Sequence, residues 1–284
     1  MTAFTGLAAL AATRDLPAFA IANGLRYDAS AEPPASGGSL WEALTSGIVT
    51  DRVTGATWET GNIEGGTRSS TSEQTLFGMK VQVTTSVTTT APGNVRIGYL
   101  AVTLARRLPN MILDAQGNDP LFGSSLPRPP QATQRLSLEG DFDRHFSLYV
   151  PSGYERDALY VFTPDLMALL IDETGDLDVE IRDDRLLVYA RGGFDLRDPA
   201  LWPRIERIMR IVGAKTFSQT DLYADERIGD RAANVVAPEG QRLRRRLLGG
   251  RGLVAALAIV GFVVVLFLVI GITIAVNVLG PLLR

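Results

Sequence analysis

The sequence predicts an α+β fold, an antiparallel sheet with a few packed helices, followed by one C-terminal transmembrane helix. Three observations carry that prediction. Short stretches rich in Val, Ile and Thr alternate apolar and polar residues between Gly- and Pro-marked breaks, the pattern of half-buried strands. Two segments open on helix-start signals, Thr163-Pro164-Asp165 and Asp198-Pro199, and continue with apolar residues at helical spacing. Residues 253–279 run without a charge, interrupted only by the polar Thr273 and Asn277.

In chain order, residues 4–25 are expected to be helical in two pieces broken near Pro17, with Phe19, Ile21 and Leu25 available for burial. Residues 32–38 form a Pro- and Gly-marked loop. Val49, Val53 and Trp58 belong to short strands, and 65–73 is a polar excursion with the look of an exposed hairpin tip. Residues 79–90 read as a strand closed by the turn Pro92-Gly93-Asn94. Residues 96–104 alternate cleanly, 111–113 is a short apolar strand, and 114–131 is a long loop. Phe146, Leu148 and Val150 define the inward side of another strand, and 158–162 is expected to be a further one.

At Thr163 the period changes. Threonine caps the helix, Pro164 fills the first position, where a missing N–H costs nothing, and Asp165 favours the positive end of the helix dipole. Leu166, Met167, Leu169, Leu170 and Ile171 supply a buried face, and Gly175 is placed to cap the end. Residues 176–191 read as a hairpin: Leu177, Val179 and Ile181 face inward, Asp183-Asp184 turn, and Leu186 and Val188 return. The second helix buries Leu201, Trp202, Ile205, Ile208, Met209 and Val212, wets Arg204, Arg207 and Arg210, and stops at Gly213. Residues 225–241 have no periodicity and read as a linker.

A bilayer core of about 30 Å needs about 20 helical residues, so 253–279 is long enough to cross with tilt. Arg242, Arg244, Arg245, Arg246 and Arg251 precede it and only Arg284 follows, which places the N-terminal side in the cytoplasm. The expected organisation is a cytoplasmic α+β domain over 1–224, a linker with a basic juxtamembrane stem over 225–251, a transmembrane helix over 252–280, and a short external tail over 281–284. Residues 3–12 are mildly apolar but lack the basic start of a secretory signal. The protein is therefore expected to be a single-pass, tail-anchored protein of the inner (cytoplasmic) membrane. Gly252/Ala256 and Gly271/Ala275 are small-residue pairs through which two spans could pack as a homodimer.

The 284 residues carry a net charge of −3. Six arginines and no acids lie in 241–284, leaving −9 for residues 1–240. So acidic a body argues against nucleic acid as a partner, because that binding depends on neutralising phosphates. The basic stem instead suits the anionic lipid of the bilayer. Cysteine is absent, and neither GxGxxG nor GxxxxGK[ST] occurs, so no cofactor is expected.

The single histidine, His145, shares the outer side of its strand with Ser147 and Tyr149, beside Asp143. Catalysis would need a nucleophile and an orienting partner in reach, so a hydrolase using His145 with Ser147 or nearby acids stands as the alternative to a solvated strand edge. Asp141/Asp143 and Asp172/Asp176/Asp178 are the densest acids, yet their spacing matches no calcium loop, and no metal is expected.

Four segments resemble a known family: "LPAFAIANGLRY" (16–27), "GYLAVTLARRLPNMILDA" (98–115), "QRLSLEGDFDRHFSLYVPSGYERDALYVFTPDLMALLIDE" (134–173) and "DVEIRDDRLLVYA" (178–190). They are similar to a family of uncharacterised membrane-anchored actinobacterial proteins. More remotely, Glu139, Phe142, Phe146, Tyr149 and Thr163-Pro164 look like the core pattern of a wider bacterial domain family of unknown function. The resemblance spans most of 16–224. It implies a membrane-associated α+β domain with Phe142 and Phe146 as core anchors, and it brings no catalytic residues. The resulting expectation is a non-enzymatic binding or scaffold module at the inner face of the membrane, with a protein partner or the lipid surface as its target. A ligand-sensing domain coupled to a dimerising span is a further alternative.

Overall fold

The computed structural model describes residues 4–42, 44–67, 71–76, 79–84, 95–119, 126, 130–138, 140–210, 223–229 and 234–244. The 253–279 segment, Arg245, Arg246 and Arg251 lie outside the described residues, as do the 92–94 turn, Glu139, Val212 and Gly213. Among the described residues no helix is long and apolar enough to cross a membrane.

The N-terminal helices are α1 (Leu7–Thr13) and α2 (Leu16–Ala22). They separate at Arg14, which takes a left-handed conformation, and the Asp15 carboxylate caps α2 by accepting from the Ala18 N–H at 3.0 Å. Pro17 therefore helps start α2 and does not break a longer helix, as its fixed φ favours the first turn. Leu10, Leu16, Phe19 and Ala20 are buried, Leu25 is half-buried, and Ile21, expected inside, is 76% exposed.

Seven strands make one antiparallel sheet. Its first three are β1 (Arg26–Ala31), β2 (Leu44–Thr54) and β3 (Trp58–Thr67), a meander in register Tyr27 to Val53 and Val49 to Ile63. An irregularity between Thr50 and Val53, with Asp51 at φ 54, shifts the alternation. Val53 thus joins the helix-covered core while Val49 joins the opposite one. Two further strands, β4 (Thr71–Leu76) and β5 (Met79–Thr84), pair with each other and, among the described residues, with no other strand. Within the 65–73 excursion, 65–67 end β3 and 71–73 open β4, and 68–70 lie outside the described residues.

Next comes β6 (Val95–Ala115), which unites the two separate strands expected at 96–104 and 111–113. It pairs with β3, with β8 (Phe146–Tyr149) and with β9 (Asp178–Arg191); β7 (Arg135–Leu136) adds to β8. A straight β9 would hold its ends about 40 Å apart. Yet the Tyr189 hydroxyl donates to Glu180 at 2.6 Å, and Arg191 approaches Asp178 to 4.0 Å. The strand bends back at Asp183, φ 52, where a turn is expected, but both halves pair with β6 and not with each other, so the expected hairpin is one bent strand; β6 slips register beside it between Thr103 and Met111.

The remaining helices are α3 (Glu155–Val161), α4 (Pro164–Thr174) and α5 (Leu201–Ile208). α3 corrects the strand expected at 158–162. A short apolar run cannot be assigned by periodicity alone. The run buries Ala158 and Val161, three apart, while Leu159 and Tyr160 stay exposed, which is helical spacing. α4 begins as expected, with Thr163 accepting from the Leu166 N–H. Gly175, however, is right-handed at φ −57 and is not a left-handed cap; a Cβ there would stand 2.7 Å from the Ile171 carbonyl oxygen.

The five described α-helices all contribute to one core, where Phe19 and Trp202 meet at 4.5 Å between ring centroids. The other face of the sheet carries a second core of Ile63, Ile97, Tyr99, Ile112, Leu187 and Tyr189. Its cover includes Leu40 and Trp41 from the loop after β1, Leu126, and Leu243 from the C-terminal stem.

Candidate functional site

His145 closes a 3-10 turn (Phe142–Arg144) immediately before β8. Its backbone is fully used: the N–H donates to Phe142 O at 2.9 Å and the carbonyl accepts from the Gln116 N–H at 2.8 Å. Its imidazole has no hydrogen bond or ion pair among the described residues. Asp143, the acid expected beside it, accepts from the Ser137 hydroxyl and from the Leu138 N–H at 3.1 Å. Ser147 stands opposite Asp114 across the β6–β8 ladder. Tyr149, placed by alternation on the wet side with them, is buried. Phe142 and Phe146 are core anchors with ring centroids 5.2 Å apart.

Of the other acids named from sequence, Asp176 and Asp178 are committed to structure, while Asp141 and Asp172 are exposed. Asp176 pairs with Arg204, and Glu173 with Arg207 at 3.0 Å, joining α4 to α5. Asp178 accepts from the Ala115 N–H at 2.9 Å and from Asn118 at 3.1 Å. Burial pushes its carboxyl above the usual range despite those donors and Arg191. No group of three or more His, Asp or Glu among the described residues is placed to hold a metal ion.

Two polar clusters have no local signal in the sequence. In the first, the buried Glu180 carboxylate accepts from the Ser39 N–H at 2.8 Å, the Ser39 hydroxyl at 2.6 Å and the Tyr189 hydroxyl at 2.6 Å. Arg182 pairs with Glu42 at 2.5 Å beside it. Together they fasten the loop bearing Leu40 and Trp41 over the second core, with a fully bonded carboxylate inside.

The second cluster lies in the segment that reads as a linker, and it overturns that reading for the described part of 225–244. Asp225 is buried and central. Its carboxylate accepts from the Tyr154 hydroxyl at 2.8 Å, the Ala237 N–H at 2.9 Å, and the Arg227 N–H and guanidinium at 3.0 Å each. The Arg227 guanidinium lies 3.6 Å over the Tyr154 ring and reaches Asp157 at 3.1 Å, and the Tyr223 hydroxyl donates to Asp157 at 2.7 Å. Burial pushes the Asp225 carboxyl up, but the two N–H groups, the hydroxyl and the guanidinium outweigh it and hold the group below the usual carboxylate range. Burial and the neighbouring carboxylates push the Tyr154 and Tyr223 hydroxyls up.

From this clamp the chain continues as a bonded stem. Gly240 O accepts from the Asn110 N–H at 2.8 Å, Gln241 O from the Asn110 side chain at 2.7 Å, and Arg244 O from the Gln131 N–H at 2.8 Å. Asn234 accepts from the Arg107 N–H at 2.8 Å. Gly240 fits because a Cβ there would come within 2.6 Å of the Tyr154 ring and of Val236. Leu243 packs on the second core, and Arg242 and Arg244 on either side of it are exposed. The pattern missed from sequence is this one; Asp225 and Tyr154 are 71 positions apart and neither carries a motif.

The arrangement defines an antiparallel α+β domain whose C-terminal stem, bonded into the fold through Arg244, precedes Arg245, Arg246 and Arg251 and then the uncharged run 253–279. No family model and no curated protein matches the chain. Among solved structures it is similar to the mycobacterial trehalose monomycolate transport factor A, TtfA, at 11% identity and a TM-score of 0.44, covering 76% of this chain and 95% of that one. The functional reading rests on this chain's own residues.

Proposed function

We propose that this is a membrane-anchored, non-enzymatic binding or scaffold module, held by its 253–279 segment with the α+β domain on the cytoplasmic side. The observation that supports it most is the bonded stem. Arg244 is fixed to Gln131, and only 245–252 separate it from the uncharged run. Those eight residues reach at most about 28 Å fully extended, so the domain is a fixed platform near the leaflet and not a body on a long tether. The hydrolase alternative draws no support from His145 and Ser147 as they are placed.

Protease protection on sealed vesicles of known sidedness tests the reading. The domain should be digested from the cytoplasmic side alone, leaving a protected fragment containing 253–279. Digestion from the opposite side alone, or recovery of the full chain in the soluble fraction without detergent, contradicts it.

A further inference from the structure

We propose that the surface where the stem leaves the fold is itself a lipid-binding face, docked on anionic phospholipid headgroups; this rests on the anchored reading and names the ligand of that module. Three observations converge on the surface. The stem is bonded to the β6–β9 bend through Asn110, whose Oδ1 also accepts from the Asp183 N–H at 3.2 Å. Its emergence is therefore fixed in direction relative to the domain. Exposed cations gather there: Arg107, whose N–H is bonded to Asn234, and Arg242 and Arg244 on the stem. Beside Asn234 stands Val235, an apolar side chain 43% exposed next to the buried Val236. Over 234–251 five arginines face a single acid, Glu239.

The rest of the body makes the orientation selective. Residues 1–240 carry −9, so an anionic bilayer repels most of the domain surface and attracts this one. With at most about 28 Å of chain between Arg244 and the span, the domain cannot retreat several screening lengths of about 8–10 Å without stretching 245–252 fully. The low-energy pose sets Arg107, Arg242 and Arg244 among the headgroups, with Val235 at the acyl boundary. Cationic side chains with an adjacent apolar one are the composition of an interfacial surface.

The chain lacks cysteine, so single cysteines report cleanly. The full-length protein carrying Val235→Cys or Ile48→Cys, each with an environment-sensitive fluorophore, is reconstituted into vesicles of phosphatidylcholine with or without phosphatidylglycerol. Ile48 is 52% exposed and sits about 20 Å along the sheet from the bend. The expected result is a label at 235 that is shielded from an aqueous quencher when phosphatidylglycerol is present, exposed again at high salt, and shielded less on Arg107→Gln or Arg244→Gln, roughly five-fold per arginine in docking equilibrium. The label at 48 stays exposed throughout. If vesicles float with the protein but the 235 label is quenched as readily as the 48 label, or phosphatidylglycerol changes nothing, this inference alone falls. If the protein does not float with the vesicles, the anchored reading and the inference fall together.

Discussion

Two buried aspartates show how one side-chain type takes opposite roles. Asp225 is held below the usual carboxylate range, so its contribution to stability is present above the unfolded value of about 3.9 and is lost as pH falls through the lower folded value. Asp51 and Asp176, each opposed by burial but paired with Arg197 and Arg204, titrate with the same sign. Asp178 is raised, so its contribution is lost as pH rises from the unfolded value through the raised folded one. Asp225→Asn is expected to destabilise at pH 7 by roughly 3 kcal/mol, because Arg227 loses its closest counter-charge and the N–H groups lose a charged acceptor. Asp178→Asn is expected to leave stability at pH 7 equal or higher, since an amide oxygen can accept the same N–H bonds without the cost of burying charge. Urea midpoints at pH 5 and pH 7 separate the two; equal losses for both variants would refute the assignment. His145→Ala is expected to change stability by less than about 1 kcal/mol, as its imidazole holds no partner among the described residues. These roles are not written in local sequence, because Tyr154 lies 71 positions from Asp225 and Ala115 lies 63 from Asp178.

Elements with their own punctuation were legible, and those defined by contacts were not. α4 announces itself in Thr163-Pro164-Asp165, and the bend of β9 in Asp183-Asp184, since capping and turn chemistry act over a few residues, whereas the pairing of both halves with β6 is not local. The run 158–162 fits either period from sequence alone, and burial against the sheet makes most of it part of α3. Tyr149 was misplaced because alternation names two faces but not whether both are covered. α5 is legible from its apolar stripe, and Trp202 is its pin: fully buried, its ring tilted against Phe19, with its indole N–H donating to Leu196 O at 3.0 Å. Trp202→Ala is expected to cost about 3–5 kcal/mol, read as a lowered urea midpoint. An unchanged midpoint would show that α5 contributes little to the core.

Taken entire, the chain is a sheet with two covered faces, one roofed by helices and the other by loops and the stem. The unperiodic run 225–241 carries no pattern that shows this, because its described residues are held by Tyr154, Asp157 and Asn110, which are far away in sequence. On the proposed membrane-anchored reading, a fixed stem would orient the acidic body, which a flexible tether would not. The most direct measurement compares the thermal midpoint of the chain ending at 244 with that of the chain ending at 224. Losing the Asp225 clamp, the Asn110 and Gln131 bonds and Leu243 should cost about 3–5 kcal/mol and lower the midpoint by roughly 10 °C. Equal midpoints would show that the stem is a tether after all, and the oriented platform would have no structural basis.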